Sequence, residues 1–426
     1  MKILIKNGRV LDPKNNIDCI SDVLIADQKI IKIGQNIPEG ADKIIDASGK
    51  WVTPGLVDMH THLRDPGMKH KESIATGTRA AAAGGFTTIT SMPNTSPVTD
   101  NDIVAEYITS KACKEGIVNV LPVGAITKNM DGNELSAIGE MKDAGICAIS
   151  EDGKTVANPA LMKTAMKYAA NFDLPVLSHC EEIKLAAGQM NAGPTAEMLG
   201  FKGIGNDSEE LIVVRDIILA RGTGVKLHIC HVSTAESLEH IRAAQAKGQT
   251  VTAEVCPHHF SLADEDIKDY DANCKMSPPL RSRKDVAALK AALKDGTISV
   301  IATDHAPHHL DDKNCEFEAA ANGIIGLETC VPLSLNLVHE GILTPLQLIE
   351  KLTINPSQIL GIDKGTLKIG ATADITIINP DDTYIFTEDM LYGRSKNTPF
   401  IGQTMKGRVT HTIVDGMPVF EEGAIL

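Results

Sequence analysis

His60 and His62 stand two residues apart in Val57-Asp58-Met59-His60-Thr61-His62-Leu63-Arg64. An extended chain places residues i and i+2 on one face. Two imidazoles would then sit side by side, as a metal ion requires. Two surface histidines also fall at this spacing by chance, so the pair needs further ligands. Five more apolar runs break into polar or charged residues at their C-terminal ends. They are Met92-Pro93-Asn94, Glu151-Asp152, His179-Cys180-Glu181, His228-Ile229-Cys230-His231 and Asp304-His305-Ala306-Pro307-His308. A single histidine of this kind reads as a hydrogen-bonded core residue, whereas six run-ends together point to a metal centre. Histidine and aspartate without paired thiolates suit Zn2+ or a similar borderline divalent ion. Four His and two Asp suffice for two ions sharing a bridging ligand. Period-two alternation groups His231 with Leu227 and Ile229 and turns His228 the other way, leaving open which parity faces the site.

The elements that must position these residues follow a repeating order. Eight β-like runs cover 56–63, 87–92, 119–126, 146–150, 174–179, 225–231, 250–256 and 298–303. Helical patterns at 72–83, 159–170, 208–220, 235–247 and 283–293 lie between them. Alternating β and α units imply a parallel sheet. Eight of them fit an α/β fold of the (β/α)8 TIM-like barrel type, with a doubly wound open sheet as the alternative. In a barrel, chemistry gathers where strands run into loops on the C-terminal face, which is where the six polar ends fall. Both chain ends read instead as short strands and turns, with Asn7-Gly8 as a hairpin signal. The expected organisation is a small β-sandwich domain built from both termini, 1–52 and 366–426, around a catalytic barrel of 53–365.

Composition limits the function classes. The chain has 426 residues, 43% hydrophobic and 23% charged, as in ordinary globular proteins. A net charge of -14 and only 3% aromatics argue against nucleic acid or an anionic membrane as partner. Any positive charge that meets an anionic substrate must therefore be local. Nine cysteines without a CxxC pair indicate a reduced, disulfide-free cytoplasmic protein. The first eight residues do not resemble a signal peptide, and no apolar run approaches the ~18 residues of a membrane span.

The run Pro54-Gly55-Leu56-Val57-Asp58-Met59-His60-Thr61-His62-Leu63-Arg64-Asp65-Pro66-Gly67 resembles the amidohydrolase superfamily, and its HxHLR form is that of the type I dihydroorotases. Thr88-Ile89-Thr90-Ser91-Met92-Pro93-Asn94-Thr95, Lys275-Met276-Ser277-Pro278-Pro279-Leu280-Arg281, Ala302-Thr303-Asp304-His305-Ala306-Pro307-His308 and Gly326-Leu327-Glu328-Thr329 are similar to motifs of the same family. The resemblance spans essentially the whole chain. It implies two Zn2+ per subunit, one held by His60 and His62 and completed by Asp304, the other by His179 and His231, with Asp152 bridging. It implies that Arg64, Asn94 and His308 hold a substrate α-carboxylate, and that His62, Ser277, Asn322 and Gly323 complete the substrate contacts. The implied reaction is the reversible interconversion of L-dihydroorotate and N-carbamoyl-L-aspartate in pyrimidine synthesis, with Asp304 as the catalytic proton carrier. It further implies a homodimer and, as a protein partner, aspartate transcarbamoylase.

Some residues depart from the pattern. Many amidohydrolases bridge their metals with a carboxylated lysine at the fourth strand end, and 146–152 contains none; Glu151 rivals Asp152 for that role, and Lys154 is a more distant candidate. Ser277 stands where Asn is frequent, and Asn322-Gly323 where Phe-Gly is. The polar segment 309–314 is expected to close over substrate. His305, His309 and His258-His259 are expected behind the site or at the surface. Two other readings compete. One is a hydantoinase, allantoinase or dihydropyrimidinase, whose substrates lack the carboxylate that Arg64 would bind. The other is an inactive structural partner of aspartate transcarbamoylase, which should have lost metal ligands.

Overall fold

A computed structural model describes residues 1–38 and 40–426. All eight expected runs form strands of one parallel sheet: Leu56–Asp58, Phe86–Ser91, Asn119–Ala125, Ala148–Ser150, Val176–Ser178, Leu227–Ile229, Val251–Val255 and Val300–Ile301. They neighbour one another in sequence order, and a parallel bridge between Thr61 and His305 links the first strand end to the last. The open-sheet alternative is thereby excluded; this is a (β/α)8 barrel. Side chains divide by parity. Val57, Met59, Val123, Leu177, Cys230 and Val300 fill the barrel interior, with Leu360 packed against them. Leu56, Ile89, Ile149, Val176, Leu227, Ile229 and Ile301 point outward into the helix layer.

The helices start where the sequence supplies caps. The Asn158 side chain accepts from the backbone N–H groups of Ala160 and Leu161, and Pro159 follows at the first helical position, so Pro159–Ala170 forms as expected. The first barrel helix begins at Ile74, not at 72, because Ser73 caps it in a capping box with Thr76. Glu72 is left outside the helix and buried, and its carboxylate accepts from the backbone of Ser73 and Arg394.

Strands from both termini share a second, nine-stranded sheet with sandwich-like character. Trp51–Pro54 lies between Ile3–Asp12 and Ile375–Ile385, pairing parallel with the first and antiparallel with the second. Ile3, Ile5, Val23, Ile25, Val52, Ile375 and Ile413 form its core. Asn7-Gly8 is not a hairpin turn. The strand runs straight through to Asp12, and the pairing steps from Ile5–Val23 to Gly8–Ser21, a bulge with Asn7 at φ 61°. Glycine is needed there because a Cβ at position 8 would lie 2.4 Å from Val52 Cγ2. The segment Trp51–Pro54 then delivers the chain directly into the first barrel strand and its histidine pair.

Candidate active site

The expected metal donors converge on the C-terminal face of the barrel. His60, His62, Asp152, His179, His231 and Asp304 are all buried. Asp152 stands at their centre. Its Oδ1 lies 3.2 Å from His60 Nε2, 3.5 Å from His179 Nδ1 and 3.6 Å from His231 Nε2, and its Oδ2 lies 3.3 Å from His62 Nε2. Asp304 Oδ1 faces the other side of the first pair, 3.0 Å from His62 Nε2 and 3.5 Å from His60 Nε2. The rivals for the bridging position point elsewhere. Glu151 accepts from the backbone and hydroxyl of Thr127, and Lys154 donates to the Met130 carbonyl.

A divalent cation fits this donor set. His60 Nε2 and Asp152 Oδ1 are buried without a hydrogen-bond partner among the described residues, a costly arrangement unless something else satisfies them. His179 Nδ1 and His231 Nε2 face one another at 2.9 Å. Two three-residue sets, His60 with Asp152 and His231 and His60 with His62 and Asp304, bring their ligand atoms within 4.8 Å of one another.

The parity question left by the sixth strand has an answer in the backbone. His228 points inward below the site, its Nε2 3.1 Å from Glu254. His231 reaches the same interior because its own φ of 35° turns the chain after the strand has ended. Asp304 (φ 46°) and Arg64 (φ 55°) are also left-handed. Each such residue costs on the order of 1 kcal/mol, and all three lie in the site.

Supporting residues were harder to foresee. Glu254, fully buried within the seventh strand, sits 2.5 Å from His60 Nδ1 and fixes which ring nitrogen faces Asp152. A charged residue inside the apolar run 250–256 was the available signal. Glu181 does the same for His179, 3.1 Å from its Nε2, and also accepts from Ser277 Oγ at 2.5 Å. Ser277 is thus held by the wall of the site.

Above these candidate donors lies a cavity of about 250 Å3, lined by His62, Arg64, Asn94, Ser277, His308 and Asn322 among others. Asn94 Oδ1 lies 2.9 Å from His62 Nδ1. The Arg64 guanidinium donates to the Pro307 carbonyl at 3.2 Å and stands 3.3 Å from His308 Nε2. It makes no ion pair with a carboxylate among the described residues. Burial lowers the Arg64 pKa to about 10 against the pull of Asp304 and Asp152, so it stays charged at neutral pH. Burial, Arg64 and Lys71 together push His308 down to about 3, so its imidazole is neutral. Gly323 packs behind the His308 ring, where a Cβ would lie 2.6 Å from the Ala306 carbonyl oxygen.

This corner is tied down from the far end of the chain. Asn397 accepts from the His308 N–H at 2.9 Å and donates to the carbonyls of Ala306 and Gly323, both at 3.0 Å. Nothing in the polar stretch around Asn397 signals that role. The segment expected to close over substrate forms a helical turn, Leu310–Lys313, anchored by the Lys313 ammonium on the Lys275 and Ala321 carbonyls. His258, His259 and His305 are buried rather than at the surface, and His309 is exposed.

Comparisons with known proteins agree with this geometry. A family model described as dihydro-orotase-like matches residues 49–237. The chain is 52% identical over 421 residues to the dihydroorotase of Geotalea daltonii, covering 98% of this chain and 99% of that one. It is also 52% identical over 426 residues to the dihydroorotase of Acetivibrio thermocellus, covering 100% of both. The chain belongs to the dihydroorotase family. Among solved structures, the L-hydantoinase (dihydropyrimidinase) of Arthrobacter aurescens is similar with a TM-score of 0.90 at 28% identity, covering 100% of this chain and 97% of that one. The dihydroorotase family and this neighbour make the chain a cyclic amidohydrolase that acts on small molecules. No helix among the described residues is long and apolar enough to cross a membrane, and all nine cysteines are free.

The donor set has a measurable proton balance. Burial alone would lower the His60 and His179 pKa values, but Asp152, Asp304, Glu254 and Glu181 overcome it. They hold His60 well above its ordinary range and His179 at about 10. Metal-free protein therefore carries protons at neutral pH that a cation must displace. Loading chelator-treated protein with Zn2+ should release protons, and apparent affinity should rise with pH. Titration calorimetry in buffers of different ionisation enthalpy measures this directly; heats independent of the buffer would contradict it.

Proposed function

We propose that the chain is a dihydroorotase, interconverting L-dihydroorotate and N-carbamoyl-L-aspartate at a centre of two Zn2+ ions. The single observation that carries this reading is Arg64. A charged guanidinium without a carboxylate partner among the described residues lines the cavity directly beside the candidate metal donors. Such a group calls for an anionic substrate, and its fork geometry matches a carboxylate. The ring amides opened by hydantoinases carry no carboxylate at that position, which sets the present chain apart from its structural neighbours. No metal donor implied by the family is missing, which speaks against an inactive partner.

The residues divide the work. His60, His62 and Asp304 would hold one ion and His179 and His231 the other, with Asp152 between them. Bound there, divalent ions supply Lewis acidity and bring the pKa of water to about 7. Arg64, Asn94 and neutral His308 grip the substrate carboxylate and fix the scissile amide over the donor set; Ser277, Asn322 and Gly323 shape the opposite wall. Asp304 takes the proton of the attacking water and returns it to the leaving ring nitrogen, as base and then acid. The imidazoles around Asp304 keep its carboxylate ionised against the effect of burial, ready to accept that proton. Residues 53–365 carry the chemistry, and 1–52 with 366–426 support it. A homodimer, an association with aspartate transcarbamoylase and a cytoplasmic location belong to the same reading.

The test is turnover. Purified protein loaded with Zn2+ should open dihydroorotate and close N-carbamoyl-L-aspartate, lose both activities to a chelator, and regain them on Zn2+ addition. No turnover at full metal loading, alone or with the transcarbamoylase, would overturn the proposal. Preferential opening of hydantoin or dihydrouracil would redirect it to the hydantoinase class.

A further inference from the structure

His308 has two sides. One lines the active-site cavity, and the other lines a second cavity of about 720 Å3 that leads outward. The outer cavity is bordered by Lys313, Arg394 and Lys396, by His70 and His309, and by one carboxylate, Glu388. Arg394 is exposed and its guanidinium has no partner among the described residues. Lys396 is held in place by the carbonyls of Leu391 and Gly393, and Lys313 by those of Lys275 and Ala321. None of the three cations pairs with a carboxylate among the described residues. Of the nearby acids, Asp312 sits 3.1 Å from Lys71, whereas Glu388 is exposed on the cavity rim and offsets part of its positive charge. A cavity bordered by three cations and one carboxylate thus lies against His308, whose Nε2 stands 3.3 Å from the Arg64 guanidinium, in a chain whose net charge is -14.

The two sides of the reaction differ in charge. Dihydroorotate carries one carboxylate, whereas N-carbamoyl-L-aspartate carries two. We propose that this vestibule is an outer binding step for dicarboxylates, in which Arg394, with Lys396 beside it, receives the ring-opened substrate before Arg64 takes its α-carboxylate. The inference rests on the dihydroorotase reading. A cleft of one sign concentrates counter-charged ligand and speeds its arrival, and salt weakens the effect. The Debye length is about 10 Å at 0.1 M salt, so the contribution should fade over the ordinary laboratory range.

The experiment compares Arg394→Gln with Lys247→Gln in the metal-loaded full-length enzyme. Lys247 is exposed, follows the helix Ala235–Ala246 and precedes the seventh strand, so it lies at the opposite mouth of the barrel. Both substitutions remove one positive charge. Arg394→Gln should raise KM for N-carbamoyl-L-aspartate about three- to five-fold at low salt and flatten its salt dependence, with kcat unchanged. KM for dihydroorotate should move less, and Lys247→Gln should alter neither. Arg394→Glu should enlarge the shift. Equal shifts for the two variants, equal shifts for the two substrates, or an unchanged KM and salt dependence in Arg394→Gln would each overturn the proposal. Wild-type protein that turns over neither substrate would defeat the dihydroorotase reading first, and the vestibule with it.

Discussion

Asp304→Asn should lower turnover by about three orders of magnitude while the protein keeps most of its metal. The amide has the size and shape of the carboxylate, and asparagine accepts the left-handed backbone that position 304 adopts at φ 46°. The barrel and its loop should therefore survive. Five donors remain for the cations: His60, His62, Asp152, His179 and His231. What is lost is a group able to take a proton, and a positioned base is worth about 10²–10⁴-fold. Turnover and elemental analysis on the same preparation separate the two roles. Near-normal turnover would end the proton-carrier assignment. Loss of metal in proportion to activity would make Asp304 a ligand and nothing more.

Arg64→Ala should cut kcat/KM by roughly a hundred-fold or more and leave metal content unchanged. Removing one member of a desolvated charge pair costs about 2–5 kcal/mol, and on the proposed reading Arg64 would meet the substrate carboxylate with no carboxylate among the described residues to share it. Its guanidinium touches Pro307 and His308, not a metal donor. Alanine at φ 55° keeps the same left-handed backbone cost as the arginine it replaces, so the loss reports the side chain; Arg64→Lys is the companion variant. Lysine keeps the charge and loses the two-pronged geometry, and it should recover part of the loss. Metal depletion in either variant would assign Arg64 a structural role instead.

The sequence exposed some of this site and concealed the rest for physical reasons. The candidate metal donors were legible because each sits where an apolar strand stops, and parallel strands stop on one face of a barrel. Glu151 and Asp152 could not be ranked from adjacency alone; Thr127, which occupies Glu151, decides between them. His231 defied the alternation rule because the rule ends with the strand, and a left-handed residue redirects the chain just beyond it. Glu254 was visible only as a charge out of place in an apolar run. Asn7-Gly8 has the composition of a turn, yet the partner strand Ile17–Ala26 pairs on both sides of it and makes it a bulge. Asn397 lay beyond reach, since its role depends on three backbone groups from distant segments.

That asparagine also bears on the order in which the enzyme becomes functional as it leaves the ribosome. Chains emerge N-terminus first and fold unit by unit. The last candidate donor, Asp304, is made well before Asn397, and the strand Thr404–Val414 that pairs with Ile375–Ile385 comes later still. When Asp304 has been made, the loop carrying His308 still lacks the Asn397 side chain that holds it. On the proposed reading, a C-terminally shortened chain that still folded its barrel would keep the candidate donors and lose the tether on the substrate side of the site.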